Sequence, residues 1–131
     1  MSSLSEYTIH CQIVDLLNAH LPPGCAVHHS PNEGKHKVQY RAKQKRMGVM
    51  YGWPDIEVFV PRRYWKSQED YATIFLEVKT ARGRTSRNQQ FVHKYLREAG
   101  AQVHIVRSIE DVQDVFAQDL WVLGVQQVVS V

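Results

Sequence analysis

The order of patterned segments along the chain predicts a mixed α/β sandwich, in which a central sheet is flanked by helices. Three observations carry that prediction. An amphipathic helical pattern opens the chain. Two strand-like runs occupy its middle, the second being the strongest strand signal in the sequence. A further helix, strand and helix then follow in close succession.

Ile9, Ile13, Leu16 and Leu17 recur at helical spacing between Leu4 and Leu21, with Ser3 or Ser5 as cap and Pro22-Pro23-Gly24 as a stop. Cys25 to His29 is a short strand, and Ser30 to Gly34 has turn chemistry. Lys35 to Met47 is basic with few apolar positions and ends at Gly48, which fits a surface helix or a mobile basic loop. Asp55 to Val60 alternates as a strand that Pro61 stops, and Arg62 to Asp70 is a polar loop. Ala72 to Lys79 is a strand rich in β-branched and aromatic residues, so the two central strands form a hairpin with a wide turn. Ser86 caps a helix that runs to Ala99 and ends at Gly100, with Phe91, Tyr95 and Leu96 as its apolar stripe. Gln102 to Val106 is a strand and Ile109 to Phe116 a short helix. The segment from Trp121 to Val131 reads as a last strand or a dimer-forming tail.

Residues 1–131 read as one domain: 44% hydrophobic and 22% charged residues are ordinary for a globular chain, and no repeat or linker interrupts them. The start, MSSLSEYTIH, has neither the basic opening nor the apolar run of a signal peptide, and no 18-residue apolar stretch suits a membrane span. Cys11 and Cys25 lack C-x-x-C spacing and read as thiols in a reducing cytoplasm.

Charge is unevenly spread. Thirteen of the sixteen Lys and Arg residues fall between Lys35 and Arg87, against five acids, so that stretch carries +8 while the rest of the chain carries −5. Such a field suits a polyanionic partner, although a solvated basic face would look the same. The embedded acids are more informative. Strand side chains alternate, so Ile74, Leu76 and Val78 share one face while Thr73, Phe75, Glu77 and Lys79 share the other. If the two central strands are antiparallel neighbours, Asp55 comes beside Glu77 and Lys79 at one corner of the sheet. Two carboxylates and a backbone carbonyl are the oxygen donors that Mg²⁺ or Mn²⁺ takes, with room left for waters and a phosphate. A lysine there can orient a water and stabilise developing charge. Glu77 and Lys79 alone would equally make a strand-end salt bridge.

The wider context is more specific. Gly48-Val-Met-Tyr-Gly-Trp-Pro-Asp55, Phe75-Leu-Glu-Val-Lys-Thr80, Gly83-Arg-Thr-Ser-Arg-Asn-Gln89 and Gly100-Ala-Gln-Val-His-Ile-Val-Arg-Ser108 occur in this order with short spacings. Together they resemble the virus-type replication-repair nuclease (VRR-NUC) family of the PD-(D/E)xK superfamily, over most of the chain. The resemblance implies a restriction-endonuclease-like core and a Mg²⁺- or Mn²⁺-dependent DNA endonuclease. Asp55 and Glu77 would be metal ligands with the Val78 carbonyl as a third, Lys79 the catalytic lysine and Gln89 a positioning residue. Glu6 matches an acid that the superfamily often supplies from its first helix, the alternative being an exposed helix-start glutamate. Asn32 and Lys35 lie in a loop resembling one that faces DNA; Lys37, Arg41, Lys43, Lys45, Arg46 and Arg84 would join them on phosphates. Stand-alone members resemble homodimeric, structure-selective nucleases of the Holliday-junction-resolving, DNA-repair type, in a bacterial or phage-infected cytoplasm. The rival readings are a restriction-like or nicking enzyme on ordinary duplex and a non-catalytic DNA-binding module. The loop from Arg62 to Asp70 is longer than the compact family pattern.

Other candidates fit less well. His28, His29, His36, His93 and His104 show no zinc-ligand spacing and read as core or surface histidines. Of the three tryptophans, only Trp53 adjoins the predicted site. Ser86 has no base beside it and reads as a helix cap.

Overall fold

Four apolar residues spaced i, i+4, i+7 and i+8 dictate where the first helix lies. In the computed structural model, which describes residues 4–31 and 38–120, α1 (Glu6–His20) buries Ile9, Ile13, Leu16 and Leu17. Ser5 caps it, its side chain accepting the Thr8 amide at 3.1 Å, and the proline pair ends it. β1 (Ala26–His29), β2 (Ile56–Phe59), β3 (Ile74–Val78) and β4 (Gln102–Val106) form one sheet in the order β1-β2-β3-β4. The first two pairings are antiparallel and β3 runs parallel to β4. A parallel pair needs a crossover, and α3 (Arg87–Glu98) supplies it.

Alternation divides the sheet faces. Ile56, Val58, Ile74, Leu76, Val78 and Val106 join the α1 residues and Val112 and Phe116 of α4 (Ile109–Asp119) in one core. Phe75 and Glu77 point the other way, toward α3. All five residues of β3 are buried, as befits a strand covered on both faces. The central mixed sheet flanked by helices, the central hairpin, and the Ser5 and Ser86 caps are as the sequence predicts.

Several expectations need correction. The inward stripe of α3 is not Phe91, Tyr95 and Leu96. It is Gln89, Val92 and His93, with Leu96 half-buried, while Phe91 and Tyr95 are exposed and pack edge to face, centroids 5.0 Å apart. The cause is polar: Gln89 and His93 turn inward because a buried carboxylate needs their hydrogen bonds, which counting apolar residues does not reveal. The stretch from Arg62 to Asp70 is two short 3₁₀ turns around a buried Trp65, whose indole Nε1 donates to the Val60 carbonyl at 3.2 Å. α4 extends three residues past Phe116. The three strands drawn from Cys25, Asp55 and Ala72 are each shorter by one or more end residues.

The basic segment forms helix α2 (Val38–Arg46), ended by Gly48 at φ +97°. It is anchored lightly: Gln44 is its one buried residue, and the Tyr51 hydroxyl donates to Gln44 Oε1 at 3.0 Å. Asn32, Lys35, His36 and Lys37, and the tail from Trp121, lie outside the described residues. Among the described residues no helix is long and apolar enough to cross a membrane.

Candidate active site

The turn before Asp55 is fixed by a close approach. Gly52 has φ +94°, and a Cβ there would lie 2.6 Å from the Asn88 carbonyl carbon and oxygen and 2.8 Å from the Gln89 nitrogen. Only glycine tolerates both the dihedral and the contact. The turn therefore rests on the first turn of α3, and Pro54, fully buried, delivers Asp55 to the entry of β2.

Asp55 is held from both ends. Its carbonyl accepts from the Ser30 amide at 3.1 Å and lies 2.8 Å from His29 Nδ1. Its Oδ2 accepts the Val78 amide at 2.7 Å, so a carboxylate stands where a strand carbonyl would otherwise serve as acceptor. The ladder places Ile56 opposite Leu76, which sets Asp55 opposite Glu77. Both are buried, Asp55 2% and Glu77 0% exposed.

Burying a carboxylate is costly unless donors meet it. For Glu77 the donors come from α3: Gln89 Nε2 donates to Oε2 at 3.2 Å, and His93 Nε2 lies 2.9 Å from Oε1. Gln89 is itself fixed by a reciprocal capping box with Ser86, its Oε1 accepting the Ser86 amide at 2.8 Å and its amide donating to Ser86 Oγ at 3.1 Å. Burial, aided by the charges of Arg97 and Lys79 and opposed by Asp55, pushes the His93 pKa below the usual imidazole value. A neutral ring meets an ionised carboxylate as a donor when its hydrogen sits on Nε2.

Lys79 continues β3 by one more ladder bond, its amide donating to the Val106 carbonyl at 3.0 Å, and is 8% exposed. Alternation puts it on the Glu77 face, within Coulombic reach of His93. The loop after it is pinned by Arg107, whose guanidinium donates to the Thr80 carbonyl at 2.6 Å and the Gly83 carbonyl at 2.7 Å. Beyond that loop Arg84 is exposed. On the other side of Asp55, a cleft of about 560 Å³ opens toward α1, and half-buried Glu6 lines it with His10, His29 and Asp55. Trp53 donates from Nε1 to Glu57 Oε1 at 2.8 Å, and the two line a separate, smaller pocket with Ser30 and Val49.

The site therefore gathers Asp55, Glu77, Val78, Lys79 and Gln89 at one end of β2 and β3, with Glu6 across the adjoining cleft. It does not gather Arg84 or the α2 residues Arg41, Lys43, Lys45 and Arg46, which are exposed. His93 and Arg107 are the residues that sequence reasoning passed over. The signal for His93 was its i+4 spacing from Gln89, which puts both on one helix face.

Asp55, Glu77 and the Val78 carbonyl are the groups here that could hold a divalent cation. Among the described residues no group of three His, Cys, Asp or Glu side chains could hold a metal ion. Mg²⁺, however, is commonly held by one or two carboxylates plus water and substrate phosphate rather than by an all-protein cage. Asp55, Glu77 and the Val78 carbonyl are oxygen donors of that kind.

No family model matches the sequence, and no curated protein matches it significantly. The fold does have solved counterparts. One, described as a "VRR_NUC domain protein", superposes with a TM-score of 0.65 at 22% identity, covering 89% of this chain and 88% of that one. The chain has the fold of a VRR_NUC domain.

Proposed function

We propose that this protein is a metal-dependent DNA endonuclease of the PD-(D/E)xK type, structure-selective and acting as a homodimer on branched DNA in the cytoplasm. The observation that carries the reading is the pairing of Asp55 with Glu77 at a strand end that also bears Lys79. A protein that only bound DNA would gain nothing from two buried carboxylates facing a phosphate.

In this mechanism Asp55, Glu77 and the Val78 carbonyl would hold Mg²⁺ or Mn²⁺, with Glu6, which lines the same cleft as Asp55, as a further acid. The cation would supply a more acidic bound water and neutralise charge on the phosphate. Gln89 and His93 keep the Glu77 carboxylate oriented. Lys79 donates hydrogen bonds from Nζ to the attacking water or to the phosphate oxygen that gains charge. Arg84, with Lys35, Lys37 and Asn32, binds the flanking backbone. Two copies are needed to cut two strands, which a symmetric dimer supplies.

Isosteric neutralisation tests the site. Asp55→Asn retains an acceptor for the Val78 amide and Glu77→Gln retains side-chain volume. Each should abolish Mn²⁺-dependent cleavage of a panel of junction, flap, nicked and linear DNAs while the thermal melt stays cooperative. Cleavage at the parental rate by either variant would remove the site.

A further inference from the structure

Beside the site lies a second concavity that the proposed chemistry does not use. A cleft of about 570 Å³ separates α2 from α3, within the size range of small-ligand sites. Its walls are apolar: Val38, Met50 and Phe91 face it, and all three are exposed, Phe91 by 61%. Arg41 and Lys45 stand on its rim, and among the described residues no carboxylate lines it. Arg41 already stacks on an aromatic face, its guanidinium carbon 4.9 Å from the Tyr51 ring centroid. Phe91 is buttressed edge-on by Tyr95 at 5.0 Å, leaving its own ring accessible.

We propose that this cleft takes an unpaired nucleobase of the DNA, stacked against Phe91, while Arg41 and Lys45 bind the phosphates on either side. This rests on the nuclease reading and sharpens it, because an open base is what distinguishes a branched or nicked substrate from continuous duplex. Aromatic surface edged by cations is the chemistry that single-stranded nucleic acid uses. A small apolar ligand would not account for the cations. A second copy of this chain is disfavoured by charge, since an isologous contact through this cleft would bring two basic rims together. The position suits the role: the turn of α3 that carries Gln89 to Glu77 also presents Asn88 and Phe91 to the cleft.

The test separates base recognition from chemistry by omitting divalent metal. Binding of the full chain is followed in EDTA by fluorescence anisotropy, on blunt duplex and on a flap carrying 2-aminopurine at the unpaired junction position. Wild type should prefer the flap and quench the 2-aminopurine. Phe91→Ala should lose quenching and about 5-fold or more in flap affinity, while duplex affinity stays within about 2-fold. Phe91→Trp should retain both, and Arg41→Gln should weaken both DNAs alike. Equal losses on flap and duplex in Phe91→Ala, or no loss at all, would overturn the proposal. So would conversion of a dimer to a monomer in sedimentation with flap preference unchanged, which would make the face a contact between copies. Wild-type cleavage under Mn²⁺, measured separately, reports on the nuclease reading alone.

Discussion

Replacing His93 by leucine removes one donor from a carboxylate that has no solvent to turn to. Glu77 is 0% exposed, and His93 Nε2 sits 2.9 Å from its Oε1. A hydrogen bond to a charged group contributes about 1.5–3 kcal/mol, and losing one partner leaves the other buried and short of a donor. Leucine roughly fills the imidazole volume, so a cavity adds little to that cost. With an unfolding entropy of about 2.1 cal/mol/K per residue, His93→Leu should lower Tm by about 5–11 °C in metal-free buffer. A looser carboxylate is also a poorer ligand, and lost support around metal ligands typically costs about 10- to 100-fold in metal affinity. Calorimetric titration with Mn²⁺ and thermal melts in EDTA give the two readings. His93→Gln, which keeps an amide donor at similar reach, should recover most of both. The reasoning fails if His93→Leu melts within about 1 °C of the parent and binds Mn²⁺ as tightly. It fails equally if His93→Gln is as impaired as the leucine variant, since the ring rather than its donor would then matter.

Lys79→Ala should bind DNA in Ca²⁺ about as well as the parent, yet cleave at least ~100-fold more slowly in Mg²⁺ single-turnover assays. Lys79→Arg should rescue poorly. A fall in affinity that matches the fall in rate would make Lys79 a DNA anchor. Neutralising Lys43 and Arg46, exposed on α2 and away from the base cleft, should flatten the slope of log affinity against log salt by about 1.8. An unchanged slope would make α2 a solvated face. The His104 pKa is lowered by burial and by Arg97, against Asp119, so the unfolded chain binds its proton more readily than the folded one. Its contribution to stability is complete above the ordinary imidazole pKa of about 6.5 and is lost as pH falls below it. His104→Gln should flatten that acid limb in urea melts, and an unaltered limb would exonerate this residue.

How legible the site was depended on what each residue does. Strand alternation and antiparallel pairing suffice to bring Asp55 and Glu77 to one corner, because register is set by which face is buried. Glycine and proline marked the element ends correctly at Gly48 and Pro61. The inner face of α3 was misread because its stripe is polar. Gln89 and His93 face inward to satisfy a charge on another strand, a long-range cause that no local window contains, and Phe91 and Tyr95 look like core to any apolar count. The buried Trp65 between two 3₁₀ turns was hidden for a similar reason: the loop's composition is polar, and one indole with a backbone acceptor ties it down.

Fold and chemistry meet most closely at Asp55. Its Oδ2 takes the Val78 amide, so the residue ends the β2–β3 ladder with a charge in place of a carbonyl and draws Glu77 opposite it at no cost in unsatisfied backbone. The same bond fixes the carboxylate to the strand that carries Glu77, Val78 and Lys79, so a shift of that strand would carry the donors with it. Gly52 then couples this corner to α3, because its turn touches Asn88 and the Gln89 nitrogen, and Gln89 returns to Glu77. A closed path from Asp55 through β3, Glu77, Gln89 and Gly52 back to Asp55 thus constrains the site within a sheet of four short strands. Preorganisation of that kind lets donors meet a developing charge without rearranging at the moment of reaction. It is also why truncation to alanine at Asp55 confounds two losses, the charge and the acceptor for Val78, whereas asparagine removes the charge alone.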